Sequence, residues 1–297
     1  MFKNLSAAAV GISGGPSEMI EAALSFGFKG IDLSILDFAE QVKAHGLPHA
    51  RRLLDSSKLK LSFFHLPVEW QNDDDSFRRD FERLPALAGL AAEVGCTRAL
   101  AWVAPASNER HFHQNFEFHR QRFTEIAKRL DPLGIRLGIG FRAAIDVRQG
   151  QAFEFVRTLD ALLMLLSVVQ ARNVGLVLDE WDLVAGGGSL ESLQKVGAEK
   201  IVAVQLADAA ADAAAQNWPS SSRLLPLETG VIDSTALLVW LAEHGYDGPI
   251  TPVPSIKRLA GMRRDAIVKL AGTQLDKAWK GAGLTAAGKL ATSTAPR

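Results

Sequence analysis

The chain has 297 residues, with 33 basic against 33 acidic side chains, 47% hydrophobic residues and a sequence pI of about 7.1. A balanced charge without a basic block excludes the electrostatic footprint of a dedicated nucleic-acid binder. The most apolar run, residues 161–169, falls far short of the ~20 residues that cross a bilayer. The start, Met1-Phe2-Lys3-Asn4, has no charged region ahead of an apolar core, so no secretory leader is expected. One cysteine, Cys96, makes no internal disulfide. The expectation is a soluble, cytoplasmic protein that works on neither nucleic acid nor membrane.

In chain order, short runs of Val, Ile, Leu, Ala and Phe alternate with amphipathic stretches. Strands are predicted at residues 7–12, 30–35, 59–65, 98–104, 135–141, 174–181, 201–208 and 249–254. Most are continuously apolar, as in parallel strands covered on both faces. Helical periodicity falls at 16–25, 77–94, 109–130, 153–170, 190–196 and 234–244, then from Met262 to Lys280 with Trp279 facing inward. Gly27, Gly95, Gly134, Gly197 and Gly245 each end a helical stretch ahead of a strand, where a left-handed cap belongs. Eight βα units predict one domain, a (β/α)8 TIM barrel over residues 1–282. Residues 283–297, rich in Ala, Gly, Thr and Ser without an apolar period, read as a flexible tail. A doubly wound sheet is disfavoured, because Gly-Ile-Ser-Gly-Gly at 11–15 lacks the Gly-x-Gly-x-x-Gly spacing.

A barrel of this kind does its chemistry at the C-terminal ends of its strands. The polar residues there are Asp32, His65, Trp102, Arg142, Asp179, Asp182, Gln205 and Asp208, with Lys257 just past the last strand. His65 reads as a general base or a pocket-wall residue. Asp179, Asp182 and Asp208 offer a carboxylate site, although strand alternation would set Asp179 and Asp182 on opposite faces. Arg142, Arg223 and Lys257 could together receive an anion. Trp70, Trp102, Trp181 and Trp218 could wall a sugar-like ligand. His111 and His113 open a polar helix without a third ligand and read as a solvated face. Cys96 reads as a small buried apolar residue. Residues 72–76, Asn-Asp-Asp-Asp-Ser, read as the cap of the following helix.

Three segments, Gly134-Ile-Arg-Leu-Gly-Ile-Gly-Phe, Val174-Gly-Leu-Val-Leu-Asp-Glu-Trp-Asp and Ile201-Val-Ala-Val-Gln-Leu-Ala-Asp, resemble the xylose-isomerase-like TIM barrels. Arg223-Leu-Leu-Pro-Leu-Glu-Thr-Gly-Val-Ile-Asp and Gly245-Tyr-Asp-Gly-Pro-Ile-Thr are similar to that family's late-barrel segments. The resemblance spans nearly the whole chain. It implies a sugar or sugar-phosphate isomerase or epimerase, a dehydratase, or an apurinic endonuclease. It also implies a divalent metal (Mn, Mg or Zn) held by a Glu, an Asp, a His and a Glu ending strands five to eight. Such a metal polarises a carbonyl while the two glutamates move a proton between adjacent carbons.

Position by position, this chain departs from that pattern. Gly140 stands for the first Glu, Asp179 is kept, Gln205 stands for the His and Val253 for the last Glu; Asp182 replaces a motif His as well. The expectation is therefore a pseudo-isomerase without a metal cofactor, binding a sugar-like or acidic small molecule at the barrel mouth. Trp102, Arg142, Asp182, Gln205 and Arg223 would contact the ligand. The alternative is an active isomerase, epimerase or lyase using His65, Asp179, Asp208 and Lys257 for metal-free acid–base chemistry, or a rearranged metal site at Asp179. The nuclease branch lacks support, since its multi-metal ligands and a basic face are both missing. A homodimer is implied by resemblance alone.

Overall fold

Eight parallel strands curl into a closed barrel in the computed structural model, which describes residues 1–193, 195–210 and 213–291. They are β1 (Phe2–Leu5), β2 (Gly30–Ile31), β3 (Lys60–Leu61 and Phe64–His65), β4 (Arg98–Val103), β5 (Arg136–Phe141), β6 (Val174–Asp179), β7 (Ile201–Leu206) and β8 (Pro249–Pro252). β8 pairs back onto β1. The closure passes through β3, which is broken at Ser62 and Phe63. Its first half pairs with β2 and its second half with β4.

The first strand is Phe2–Leu5, not the predicted 7–12. Lys3 and Asn4 hide the apolar signal, because both have partners. Lys3 ion-pairs with Asp276, and Asn4 donates to Thr251 Oγ1 at 2.9 Å while accepting from Ser62. Residues 7–12 form turns, closed by bonds such as Ile12 N–H to Ala7 C=O at 3.0 Å. They lie in the loop above β1.

The helices are α1 (Pro16–Ser25), α2 (Ile35–His45), α3 (Leu47–Ser57), α4 (Asp74–Glu93), α5 (Phe112–Leu130) and α6 (Leu159–Val168). After them come α7 (Glu180–Ala185), α8 (Leu190–Leu193), α9 (Ser234–Glu243), α10 (Ile256–Leu259) and α11 (Arg264–Gly281). Asp73 caps α4 by accepting from Ser76 N–H at 2.9 Å, as the acidic run predicted. The sequence reading missed α2 and α3, because it extended the second strand to residue 35 and left 36–58 unassigned. The predicted helix from residue 153 starts at Leu159 instead. Phe153–Glu154 pairs antiparallel with Ala106–Ser107 as a small ribbon.

Two apolar layers result. Phe63, Leu100, Val177, Val202 and Ala203 fill the barrel, with Trp102 packed against them. A Cβ on Gly138 would stand within 3.0 Å of Leu100, Val177 and Val202, so only glycine leaves these side chains their room. The larger layer lies between strands and helices and includes Trp279. Cys96, behind the left-handed Gly95, is fully buried, and burial pushes its thiol up to about 12. The expected tail is partly tied down. Leu284 bridges Leu290, and the Met1 ammonium donates to Gly288 C=O at 3.4 Å. Residues 292–297 of that expectation lie outside the described residues. Among the described residues, no helix is long and apolar enough to cross a membrane.

Candidate functional site at the barrel mouth

β6 ends two residues earlier than predicted, and this sets the geometry of the mouth. Asp179 is the last residue of the strand and also the N-cap of α7, its Oδ1 accepting the Asp182 N–H at 3.0 Å. A helical turn puts residues three apart on one side, so Asp179 and Asp182 are brought together rather than opposed. This corrects the alternation argument. Both carboxylates are buried, at 3% and 0% exposure.

Two arginines meet them. Arg223 arrives on a second ribbon, Arg223–Leu224 paired antiparallel with Asp208–Ala209. Its Nη1 donates to both Asp179 oxygens at 3.1 and 2.8 Å, its Nη2 donates to Asp182, and its guanidinium stacks 4.5 Å from the Trp181 ring centre. Arg142, just past β5, donates from Nη1 to Asp179 at 3.3 Å and Asp182 at 3.2 Å. The Ala143 N–H completes Asp182 at 2.8 Å. Burial opposes the Arg223 charge, but the two carboxylates outweigh it and hold the guanidinium firmly protonated. A buried pair of carboxylates is thus neutralised from within the chain.

The remaining expected ligand positions do not suit a dication. Gly140 has no donor, and a Cβ there would lie 2.7 Å from Trp102 Cδ1 and Nε1, so the indole occupies the space a strand-five side chain would take. Gln205 is buried with Oε1 lacking a hydrogen-bond partner among the described residues, as does Trp102 Nε1. Val253 is aliphatic. Among the described residues no three His, Cys, Asp or Glu groups converge. The donor set here is one carboxylate already held by two guanidinium groups, which does not fit the metal the resemblance implies.

Asp208 and Lys257 stand apart from the chemistry expected of them. Asp208 is fully buried and accepts four backbone N–H groups, from Ala209 at 2.8 Å, Thr229 and Gly230 at 2.7 Å and Ile232 at 3.0 Å. Burial alone would raise its pKa, but these donors outweigh burial and hold it below the usual carboxylate value. No lone pair is left for a substrate, and its role is to pin the loop before α9. Lys257 is exposed on α10 and belongs neither to the cavity lining nor to the arginine cluster. Of the four tryptophans, Trp70, Trp181 and Trp218 are buried in packing, and only Trp102 reaches the mouth.

The open volume lies on the other side of the mouth, above β1 to β3. It is a cavity of about 1330 Å3 reaching from Asp32 and His65 out between α1, α2, α3 and α4. Ser6 Oγ donates to Asp32 Oδ2 at 2.9 Å. Burial pushes the Asp32 carboxyl up and the His65 imidazole down, each favouring its neutral form. His65 is open at its edge and tilts against Trp102, ring centres 5.4 Å apart; the Arg142 guanidinium lies 4.8 Å from the same indole. His65, Trp102 and Arg142 therefore form one continuous wall. Sequence reasoning also missed Glu180, fully enclosed with Ser234 Oγ donating at 2.6 Å, its carboxyl pushed up to about 8 by burial. A Glu following the strand-six Asp was the available signal.

Parallel strands closed by β8 onto β1, with a polar cluster at their C-terminal ends, define a (β/α)8 barrel. The chain belongs to the xylose isomerase-like TIM barrel family, whose model matches residues 20–264. No curated protein matches it. Among solved structures it is similar to a xylose isomerase domain protein from Alicyclobacillus acidocaldarius, at 23% identity and TM-score 0.83, covering 95% of this chain and 99% of that one. It is also similar to the IolI protein with a bound zinc atom, at 18% identity, TM-score 0.77 and coverage of 95% and 98%. A third is D-psicose 3-epimerase in the presence of D-fructose, at 14% identity, TM-score 0.73 and coverage of 95% and 100%. At these identities the likeness establishes the fold.

Proposed function

We propose that this chain is a metal-independent member of its family, a pseudo-isomerase that binds a small hydroxylated or acidic metabolite at the barrel mouth. One observation carries the reading. Arg223 grips Asp179 and Asp182 where the resemblance places the metal, so a guanidinium supplies the positive charge that a dication would otherwise bring. Arg142 commits Nη1 to the same aspartates and keeps a third of its side chain exposed, which leaves part of its fork for a ligand oxygen.

The test is metal content and ligand binding on one preparation. Protein incubated with excess Mn²⁺, Mg²⁺ and Zn²⁺ and then desalted should hold none stoichiometrically, and D-fructose 6-phosphate should bind more weakly to Arg142→Ala than to the parent. A stoichiometric metal lost in Asp179→Asn would overturn the reading.

A second reading is favoured by Asp32 and His65. A carboxyl inclined to keep its proton beside an imidazole inclined to lose one is an acid and base pair, able to serve metal-free proton transfer. Turnover of a ketose in EDTA, abolished by His65→Gln, would establish it over the first.

A further inference from the structure

The apolar side of α3, formed by Leu47, Ala50, Leu53 and Leu54, packs against the core only in part, and none of the helix's residues is fully buried. A helix with such a stripe normally presses it against the body of the protein. Here Leu53 and Leu54 line the cavity, together with Leu36 of α2, 52% exposed, and Ile20 of α1. The inner end of the same cavity is polar, with Ser6 bonded to Asp32 and His65 beside it. The volume, about 1330 Å3, exceeds what a bare hexose-sized ligand fills.

We infer that the cavity takes an amphiphile, a hydroxylated head group at Asp32 and His65 carrying an aliphatic body that lies along α3. The head rests on the reading of the mouth as a binding site; the body rests on the cavity wall alone. The Asp32 carboxyl, which accepts from Ser6 Oγ, and the His65 imidazole supply hydrogen-bonding partners for hydroxyl groups at the inner end of the cavity. The leucines supply a dry surface that a sugar alone would leave unsatisfied. Ordering the ligand completes the burial that α3 lacks.

The experiment is calorimetric titration of the full chain with n-octyl β-D-glucopyranoside below its micelle concentration, with D-glucose and with octan-1-ol. Octyl glucoside should bind about tenfold or more tightly than glucose, since several methylenes leave water. It should also bind more tightly than octan-1-ol. Leu36→Glu, at a position already half exposed, should leave the melting temperature unchanged and reduce octyl glucoside binding to the level of glucose. Asp32→Leu, which removes both the donor and the acceptor, should weaken octyl glucoside and leave octan-1-ol unchanged. Equal binding of octyl glucoside and glucose, or an unaffected Leu36→Glu variant, would overturn the apolar half. Octan-1-ol matching octyl glucoside would overturn the head group. Metal content on the same preparation tests the metal-free reading separately, because a stoichiometric metal leaves the comparison of octyl glucoside with glucose untouched.

Discussion

The Trp102 indole lies so close over Gly140 that a Cβ on the glycine would stand 2.7 Å from its Nε1. A strand-five side chain at position 140 and this placement of the ring exclude each other, because neither leaves room for the other. Restoring Gly140→Glu, Gln205→His and Val253→Glu should therefore fail to create a Mn²⁺ site while Trp102 and Arg223 remain. Adding Trp102→Ala and Arg223→Ser should open the space and release Asp179. Free Mn²⁺ measured by electron paramagnetic resonance checks both variants, with circular dichroism to confirm folding. Stoichiometric binding by the triple variant alone would contradict the steric argument.

Arg223 is the more stringent case. Arg223→Met should destabilise the fold by ~3–5 kcal/mol, since it strands two buried carboxylates with only Arg142 to answer them. Combining it with Asp179→Asn and Asp182→Asn should recover part of that loss, and urea unfolding measures the difference. A triple variant no more stable than the single one would show that the charge balance is not what matters.

Glu180 gives the barrel a pH dependence of unusual sign for a carboxylate. Its carboxyl is pushed up to about 8 in the fold, from the ordinary value of 4.5, mainly by burial. The folded state then binds the extra proton, so the contribution is complete below the unfolded value and is lost as pH rises through the folded one. Between those limits stability should fall by at most ~1.4 kcal/mol per pH unit from this group. Glu180→Gln keeps the contact with Ser234 Oγ and should flatten the decline. Unfolding series at pH 5, 6.5 and 8 on parent and variant isolate it, and identical slopes would rule it out.

For Asp208 the expectation is structural. Asp208→Ala leaves four backbone N–H groups without their acceptor and should cost ~2–4 kcal/mol, each lost bond to a charged group being worth about 1.5–3 kcal/mol before water recovers some of it. Amide hydrogen exchange at Thr229, Gly230 and Ile232 should accelerate in Asp208→Asn while ligand affinity holds. Loss of affinity with unchanged exchange would restore Asp208 to the site.

Lys257→Ala should do little. The side chain is exposed on α10, so stability should move by less than ~0.5 kcal/mol and binding at the mouth should stay as it was. A large fall in D-fructose 6-phosphate affinity would return the lysine to the anion site.

The barrel was legible in the sequence where strands are apolar throughout, as in β5, β6 and β7, because burial on both faces leaves a one-dimensional signal. β1 was not, since Asn4 and Lys3 find partners that only the closed barrel provides. The departures at Gly140, Gln205 and Val253 were equally readable, being properties of single positions. What replaced them was not. Arg223 reaches Asp179 from 44 residues away, and that meeting depends on a two-residue ribbon. Asp182 joined Asp179 only because the strand stopped at residue 179, a boundary that the following Glu-Trp-Asp does not announce. The cavity was hidden for another reason. It depends on α3 burying its apolar side only in part, and periodicity reports that a helix has an apolar side without reporting how fully it is covered.

Cys96 carries one more implication. It is the sole thiol in the chain, fully enclosed, and burial holds it protonated at any physiological pH. A reagent that alkylates thiolates can reach it only when the strand it precedes comes away from its covering helices. The labelling rate of this one sulfur is thus a built-in clock for the opening of that strand from its helices, readable by mass without any engineered probe.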